Sequence, residues 1–229
     1  ICRGGACGIL LNNMNGKLIY KILKYIRSSK IITFVVWRIK IEKYLHDTFW
    51  DLTTLVLKKE LNQNKEKNKY LDMGCGQFAI LGQYFKKINS YSDVTSVDVY
   101  KEFIENSIKN SIQNKNDINI LQSNLFSNIN EKFDLISFNP PYVPASTNNE
   151  KLEFPNIRYS DLEGIQTAKD FLSEAKKFLT PDGIILLGMN TFYVPQNVCV
   201  KLIKDNGYKL EKITKMKFNT SIVLKLKVI

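Results

Sequence analysis

The stretch Lys69-Tyr-Leu-Asp-Met-Gly-Cys-Gly76 decides how the rest of the chain is organised. An apolar run that ends at Leu71 follows the polar residues 62–68. Gly74 and Gly76 then interrupt the run, which predicts a β-strand that enters a tight turn. Glycine at both places allows the backbone to take positive φ and to approach a ligand closely.

Two further signals follow the glycines in chain order. Asp98 ends the next apolar strand, predicted over residues 94–97, about 20 residues beyond the turn, where nucleotide-binding folds place a carboxylate on a ribose diol. The string Asn139-Pro-Pro-Tyr142 follows a third apolar strand, predicted over residues 133–138. A plain turn is the competing interpretation of that string, but the order of the three signals favours a ligand site.

Taken together, these residues resemble the class I S-adenosylmethionine-dependent methyltransferases that methylate planar nitrogens. The resemblance covers residues 30–229, and the Asn-Pro-Pro-Tyr-Val-Pro string at 139–144 is most similar to the HemK/PrmC-type glutamine methyltransferases. It implies an α/β fold with a doubly wound, mostly parallel, seven-stranded Rossmann-like sheet. A terminal antiparallel hairpin and a short N-terminal extension with helix and strand complete the expected architecture.

The resemblance also assigns roles to individual residues. In catalysis, the Asn139 side-chain oxygen and the Pro140 carbonyl would accept the two hydrogens of the target nitrogen. Tyr142 would stack on the flat target group. The expected contacts to S-adenosyl-L-methionine are Thr54, Asp72, Gly74, Cys75, Gly76, Asp98, Val99, Asn124, Leu125 and Asn139. No metal ligand is expected.

Two positions depart from the family pattern. Asn124 stands where an aspartate near the adenine is usual, although its side-chain oxygen can still accept a hydrogen bond from the exocyclic amine. Phe78 stands near a position usually held by a small residue, and it either stacks on the cofactor or fills the strand–helix junction. Because of these departures, the alternative of a methyltransferase-like protein that binds a partner without catalysis stays open.

The motif admits several acceptors with a planar nitrogen: a protein glutamine, adenine in DNA or RNA, or a small molecule. PrmC-type enzymes carry a helical N-terminal domain, whereas here only residues 14–53 precede Thr54 once the first 13 are set aside. We therefore favour a HemK-like glutamine methyltransferase only narrowly over a nucleic-acid adenine enzyme. The net charge of +11 would attract nucleic acid, or it reflects a chain rich in Lys, Asn and Ile throughout. Oligomeric state stays open.

Length and composition predict one α/β domain. The chain has 229 residues with 44% hydrophobic content, enough for a single substantial core. We expect residues 1–13, ahead of Met14, to be foreign to the native start or disordered. Residues 14–49 are expected to form an N-terminal extension, and residues 50–229 are expected to form the methyltransferase domain. Four cysteines without disulfide or metal spacing fit a reduced, cytoplasmic setting. The longest apolar run, residues 31–37, is far shorter than the about 20 residues that span a bilayer.

Local patterns predict the elements of the extension. Helical spacing over residues 17–27 places Lys17, Lys21 and Lys24 together on the polar face of an amphipathic helix. Residues 31–41 carry large side chains on alternating faces, which predicts a partly covered strand. A helix follows over residues 47–59, capped by Asp47 or Thr48 and with Leu52, Leu55 and Leu57 as its apolar stripe.

Several residues of this region raise functional questions. Thr53 joins Thr54 as a candidate contact to the methionine end of the cofactor, because the family covers the cofactor with this segment. His46 has no suggested partner and is interpreted as a surface or packing residue rather than a base. The polar segment 143–161 is predicted to be a substrate lid.

The remaining elements follow a doubly wound pattern. Predicted helices are 79–87, 101–114, 164–179 and 198–206, the last ending at Gly207. Further predicted strands are 118–121, 184–189, 208–218 and 221–228, with a turn at 181–183.

Overall fold

The computed structural model describes residues 14–42, 45, 49–144, 160–161, 163–217 and 219–229, with the side chains omitted for 14–20. Over this part of the chain the helices are α1 (Met14–Ser28), α2 (Lys30–Trp37), α3 (Leu52–Gln63), α4 (Ile80–Ile88), α5 (Lys101–Gln113), α6 (Gln166–Ala175) and α7 (Gln196–Asp205). The strands are β1 (Lys69–Met73), β2 (Asp93–Asp98), β3 (Asn119–Gln122), β4 (Phe133–Phe138), β5 (Leu179–Asn190), β6 (Tyr208–Lys215) and β7 (Ser221–Val228).

All of these strands join one sheet in the order β3-β2-β1-β4-β5-β7-β6. The first five strands run parallel, and β6 and β7 add an antiparallel hairpin at the edge. The predicted fold class is therefore confirmed. The chain winds from β1 outward to β3 and then returns to β4 on the other side of β1, so the strand order reverses between β1 and β4. In such sheets the crevice at the carboxyl ends of these two strands is the usual ligand site.

Helices cover both faces of the sheet, and alternate strand residues enter two separate cores. In β5, Ile185, Leu187 and Met189 join one core with α6 and α7. Ile184 and Leu186 join the other core, which includes residues of α3 and α4 and Trp37 of the extension. Burial on both faces explains why the central strands read as nearly continuous apolar runs.

The strand predicted over residues 31–41 is wrong, because α2 occupies residues 30–37. Ser29 caps this helix by accepting a hydrogen bond from Ile32 N at 3.3 Å. Arg38 ends it in the left-handed region with φ 57°. Thr33 and Trp37, four residues apart, are both buried, and Thr33 accepts a hydrogen bond from Trp50 Nε1 at 3.0 Å. One turn of helix places these two side chains on the same face, so packing overrides the β-branched composition.

The start of the next helix also differs from prediction. α3 begins at Leu52 and its N-cap is Asp51, whereas Asp47, Thr48 and His46 lie outside the described residues. Of the expected stripe only Leu57 is fully buried, and the packed face consists of Thr53, Thr54, Val56, Leu57, Glu60 and Leu61.

The turn predicted at 181–183 lies within β5 instead. The register of β4 against β5 shifts from Phe133–Leu179 to Leu135–Ile184, so the extra residues form a bulge in the strand. The helix predicted over 17–27 is confirmed within α1, where Lys21 and Lys24 are exposed. Most of the predicted lid, residues 145–159, lies outside the described residues. No helix in the described ranges has the length and apolar character to cross a membrane.

Candidate active site

The glycine loop, residues 74–76, leaves β1 at the point where the strand order reverses. Gly74 and Gly76 both have φ 65°, a conformation that favours glycine. A Cβ on Gly74 would meet the Phe138 ring at 3.0 Å, whereas a Cβ on Gly76 would have nothing within 4 Å. Cys75 N donates to Val97 O at 2.9 Å, which fastens the loop to β2. The loop therefore has open space beside Gly76 and a fixed backbone.

Asp98, at the carboxyl end of β2, completes this side of the crevice. Its Oδ2 accepts a hydrogen bond from Gly76 N at 2.9 Å, and its Oδ1 accepts one from Tyr100 N at 3.1 Å. Burial raises the pKa of this carboxyl, while the bonds from backbone N–H groups oppose the rise. Each carboxylate oxygen has more than one acceptor site, so Asp98 can hold the loop and still accept bonds from a ligand. Val99, the next residue, is exposed.

Asp72 lies beneath the loop rather than beside the open space. It is 2% exposed, and its Oδ2 accepts a hydrogen bond from Gly82 N of α4 at 3.0 Å. Burial raises its pKa to about 7, with repulsion from Asp98 adding to the rise. A Cβ on Gly82 would lie 2.1 Å from Ser96 Oγ, so α4 approaches β2 at a distance that only glycine permits. The structure thus places Asp72 as a support between β1 and α4.

Asn124 and Leu125 lie in the turn after β3, on the same edge of the sheet. Gln122 pairs with Asp98, and Ser123 N donates to Asp98 O at 3.0 Å, which brings this turn beside the β2 carboxylate. The Asn124 side chain is exposed, and Leu125 has φ 49°. The two predicted residues therefore flank the same crevice as Asp98.

Phe78 fills the strand–helix junction. It is 1% exposed and packs edge-on against Phe49, with ring centroids 5.2 Å apart at 84°. Because Phe78 is enclosed in the core below α4, the structure favours the packing role over stacking on a ligand. This departure from the family pattern leaves the open space beside Gly76 intact.

The second side of the crevice is an acceptor corner formed by Asp51, Thr53, Asn139, Tyr142 and Ser221. Asn139 Nδ2 donates to Asp51 Oδ2 at 3.2 Å, and the Tyr142 hydroxyl donates to the same oxygen at 3.0 Å. The Thr53 hydroxyl lies 3.0 Å from that of Tyr142 and donates to Ser221 Oγ at 2.9 Å. Burial raises the pKa of Tyr142 well above its usual value, and the Asp51 charge adds to the rise. Tyr142 thus stays a neutral hydroxyl at physiological pH.

One atom of the acceptor corner is unsatisfied. Asn139 Oδ1 is buried and has no hydrogen-bond partner among the described residues. The neighbouring residue on β5 is Gly188, where a Cβ would lie 3.2 Å from this oxygen. Burying an acceptor without a donor costs about 1–3 kcal/mol, so this oxygen has acceptor capacity that a ligand bringing an N–H group would satisfy. Pro140, which follows it, is buried.

Thr54 is engaged in a capping box at the start of α3. Its N–H and its hydroxyl both donate to Asp51 Oδ1, at 2.8 and 2.7 Å, and Asp51 N donates to Thr54 Oγ1 at 3.3 Å. Asp51 itself is a site residue that sequence reasoning missed. The spacing of Asp51 and Thr54 could have identified the cap. Its contact with Asn139, 88 residues away, has no signal in the sequence.

Comparison with known proteins agrees with this geometry. A family model described as the methyltransferase small domain matches residues 46–217. The chain belongs to this family. It therefore carries a Rossmann-like methyltransferase domain whose cofactor is S-adenosylmethionine.

Two curated relatives show which activities occur among similar proteins. The chain is 29% identical to a release factor glutamine methyltransferase of Haemophilus influenzae over 56% of this chain and 48% of that protein. It is 32% identical to a ribosomal RNA small subunit methyltransferase C of Actinobacillus pleuropneumoniae over 62% of this chain and 38% of that protein. The chain matches at most about half the length of these relatives, and 33% of a bifunctional methyltransferase of Rickettsia typhi.

A solved structure shows the same fold at low sequence identity. A methyltransferase from Pyrococcus furiosus superimposes with a TM-score of 0.68 at 19% identity, covering 90% of this chain and 96% of that one. This likeness extends over nearly the whole chain and concerns the fold.

The residues of this methyltransferase domain fit the cofactor. The open space beside Gly76 lets a ligand approach the backbone closely, as nucleoside binding in such folds requires. Asp98 retains acceptor capacity at the strand end, where ribose hydroxyls are bound in nucleotide folds. The unsatisfied Asn139 Oδ1 lies at the carboxyl end of β4, across the reversal point from the glycine loop.

Proposed function

We propose that this methyltransferase transfers a methyl group to a planar NH₂ group and that a glutamine side chain of a protein is its acceptor. The observation that carries the proposal is the buried Asn139 Oδ1, an acceptor with no donor among the described residues. A primary amide brings two N–H donors, and one of them would satisfy this oxygen. The Pro140 carbonyl is the second acceptor in the proposal.

Such an acceptor pair addresses the difficulty of the reaction. S-adenosylmethionine supplies an activated methyl group, so this chain has to align a nitrogen lone pair and exclude water. An amide nitrogen is a poor nucleophile because its lone pair is delocalised. Two fixed acceptors hold both hydrogens of the nitrogen out of the plane of the amide group. They also stabilise the positive charge that develops on the nitrogen. The two prolines at 140 and 141 fix φ and thereby stiffen the backbone that carries this pair.

The other residues of the site have supporting roles in this proposal. Asp98 and the glycine loop hold the nucleoside part of the cofactor, with Val99, Asn124 and Leu125 beside it. Thr54 and Asp72 act through the structures that they brace, the α3 cap and the α4 start. Tyr142, partly buried and held by Asp51, offers a ring face to the flat acceptor group. The nitrogen loses its extra proton to water after transfer, since the Asp51 carboxylate already accepts four hydrogen bonds.

An exocyclic amine of RNA is the second candidate acceptor. It presents the same planar NH₂ chemistry, and one of the relatives is named as a ribosomal RNA methyltransferase. The net charge of +11 would favour a polyanion. The glutamine acceptor is preferred because the Asn-Pro-Pro-Tyr-Val-Pro string resembles the glutamine methyltransferases in its full length.

A labelling experiment distinguishes the two acceptors. The protein is incubated with cell extract and with S-adenosylmethionine that carries a radiolabelled methyl group, and the labelled fraction is treated with protease or with nuclease. We expect protease to release the label and nuclease to leave it. Release by nuclease alone would replace glutamine by a nucleic-acid acceptor. No label above that of a heat-inactivated sample would contradict catalysis, and isothermal titration with S-adenosylmethionine would then show whether the chain binds cofactor at all.

A further inference from the structure

We infer that Asp51 is a positioning residue that sets the direction of the Asn139 amide and thereby makes the end that meets the substrate an acceptor. This inference rests on the proposed function, because it concerns how the same site recognises an NH₂ group. The juxtaposition is direct, with Asn139 Nδ2 donating to Asp51 Oδ2 at 3.2 Å. Asp51 was not among the residues that the sequence motif identifies.

The argument starts from the chemistry of an amide side chain. The two ends of an asparagine have nearly the same shape, but the oxygen accepts hydrogen bonds and the nitrogen donates them. An ionised carboxylate only accepts, so the end of Asn139 that faces Asp51 has to be the nitrogen. The opposite end, Oδ1, is then an acceptor, and it is the buried atom without a partner. With the amide reversed, a donor would face the hydrogens of the substrate and would repel them.

The carboxylate is itself held in place from two directions. The N–H and the hydroxyl of Thr54 donate to Oδ1 of Asp51, at 2.8 and 2.7 Å. Its Oδ2 accepts from Asn139 and from the Tyr142 hydroxyl. The α3 cap therefore fixes the carboxylate, and the carboxylate fixes Asn139. A bond across 88 residues of sequence thus couples the start of α3 to the end of β4.

Asp51→Asn tests the inference without removing the helix cap. Asparagine caps helices about as well as aspartate, and its oxygen would keep accepting from Thr54. Its nitrogen would then face Asn139 and force that amide to reverse. We expect turnover to fall by about 100-fold, the loss typical of one preorganised group, with S-adenosylmethionine affinity and melting temperature near wild type. A role limited to structure would lower turnover only in proportion to lost folded protein.

The exchanged pair, Asp51→Asn with Asn139→Asp, is the decisive variant. The amide introduced at position 51 would donate to one oxygen of the carboxylate introduced at position 139. The second oxygen of that carboxylate would stand where Asn139 Oδ1 stands in the wild type. Asn139→Asp alone places two carboxylates in contact and is expected to be slow because like charges repel. We expect the double variant to turn over at least about tenfold faster than either single variant, a coupling typical of residues in direct contact.

A matched control separates this effect from the general loss of a carboxylate. Asp134→Asn makes the same exchange at the opposite end of β4, where Asp134 Oδ2 accepts from Lys69 N at 3.0 Å. Turnover per folded protein of this control is expected to stay within about twofold of wild type, since Asp134 bonds to Asn68, Lys69 and Thr180 and to no residue of the acceptor corner. Wild-type turnover in Asp51→Asn, or a double variant no faster than both single variants, would overturn the inference.

A measurement without substrate keeps the inference distinct from the proposed function. The unfolding midpoints of the wild type, both single variants and the double variant form a thermodynamic cycle that reports the contact of Asp51 with Asn139. We expect the double variant to be more stable than the sum of the two single changes predicts. If labelling shows no NH₂ acceptor but the cycle shows coupling, the proposed function fails and the contact stands. Zero coupling in the cycle overturns the inference itself.

Discussion

The two sides of the crevice differ in how they are built and in what they leave unsatisfied. On the glycine loop side, Asp98 and Gly76 are 22 residues apart and joined through a backbone N–H. On the acceptor corner side, Asp51 and Asn139 are 88 residues apart and joined only through their side chains. The first side has its carboxylate bonded on both oxygens, whereas the second leaves a buried amide oxygen without a partner among the described residues.

In the proposed function, this difference separates cofactor binding from the chemical step. A loop whose shape is fixed by backbone bonds offers the same surface to the cofactor before and after the reaction, so it contributes to affinity. An acceptor whose missing partner is a substrate hydrogen contributes most when that nitrogen becomes positive. Changes on the two sides should therefore affect different measured quantities.

The largest effect is expected for Asn139→Ala. Removing one preorganised acceptor typically costs about 100-fold to 1,000-fold in rate, because its contribution grows as charge develops in the transition state. The affinity for S-adenosylmethionine should stay near wild type, since the side chain bonds to Asp51 and not to the glycine loop, and this result would remove Asn139 from the cofactor contacts that the resemblance implies. Steady-state turnover together with isothermal titration measures the two quantities separately.

Asn62→Ala is a suitable control for that change. Asn62 is an exposed asparagine on α3 whose Nδ2 donates to Lys58 O at 2.9 Å. Its removal should leave turnover unaffected. Equal turnover of Asn139→Ala and the wild type would mean that the Asn-Pro-Pro-Tyr stretch is only a turn, and the catalytic proposal would be lost.

A smaller effect, on binding, is expected for Asp98→Ala. The variant loses the acceptor that we propose for the ribose hydroxyls, and it also leaves Gly76 N without its bond. Losing a charge-assisted hydrogen bond typically costs about 1–3 kcal/mol, so the dissociation constant for S-adenosylmethionine should rise accordingly. Titration calorimetry gives this value directly.

Asp93→Ala is the control for Asp98→Ala, because Asp93 is an exposed aspartate at the other end of β2. Its cofactor affinity should match that of the wild type. If Asp98→Ala also binds cofactor as the wild type does, Asp98 does not contact the cofactor and the glycine loop side has to be interpreted anew.

The structure brings Gly74, Gly76 and Asp98 together as the sequence predicted, because the signals for this side are local. Glycines, a strand-ending acid and apolar runs lie close together in the chain, and the parallel sheet brings their ends to one edge. The doubly wound sheet was expected from the family resemblance, and the final hairpin from the alternating residues 208–218 and 221–228, whereas the strand order is known from the structure.

The acceptor corner could be predicted only in part, because it depends on packing between distant segments. The Asn-Pro-Pro-Tyr string predicted a role for Asn139, but nothing in the sequence linked this residue to Asp51. The strand predicted over residues 31–41 is wrong for a related reason. Their β-branched side chains indicate a strand, while the burial of Trp37 beside Trp50, with ring centroids 6.0 Å apart, stabilises a helix. Such contacts belong to the folded chain and are invisible in a local window.

The smallest expected effect is on the free energy of unfolding per pH unit, and it concerns Asp72→Asn on the glycine loop side. Burial raises the pKa of Asp72 to about 7 from an ordinary value of 3.8. Between these two values the folded protein holds a proton that the unfolded chain releases. The contribution of this carboxyl to stability is therefore complete below the lower value and decreases as pH rises toward the higher one, by at most about 1.4 kcal/mol per pH unit.

Asparagine cannot ionise, and its oxygen can still accept from Gly82 N. The free energy of unfolding of the variant, measured by urea denaturation, should therefore gain on that of the wild type as pH rises from 5 to 7, and the difference should level off above about 7. Because Asp72 braces α4 rather than the open space, cofactor affinity should change less than in Asp98→Ala. A difference in stability that is independent of pH would show that Asp72 is ionised throughout this range, and a loss of cofactor affinity as large as that of Asp98→Ala would place Asp72 in contact with the cofactor.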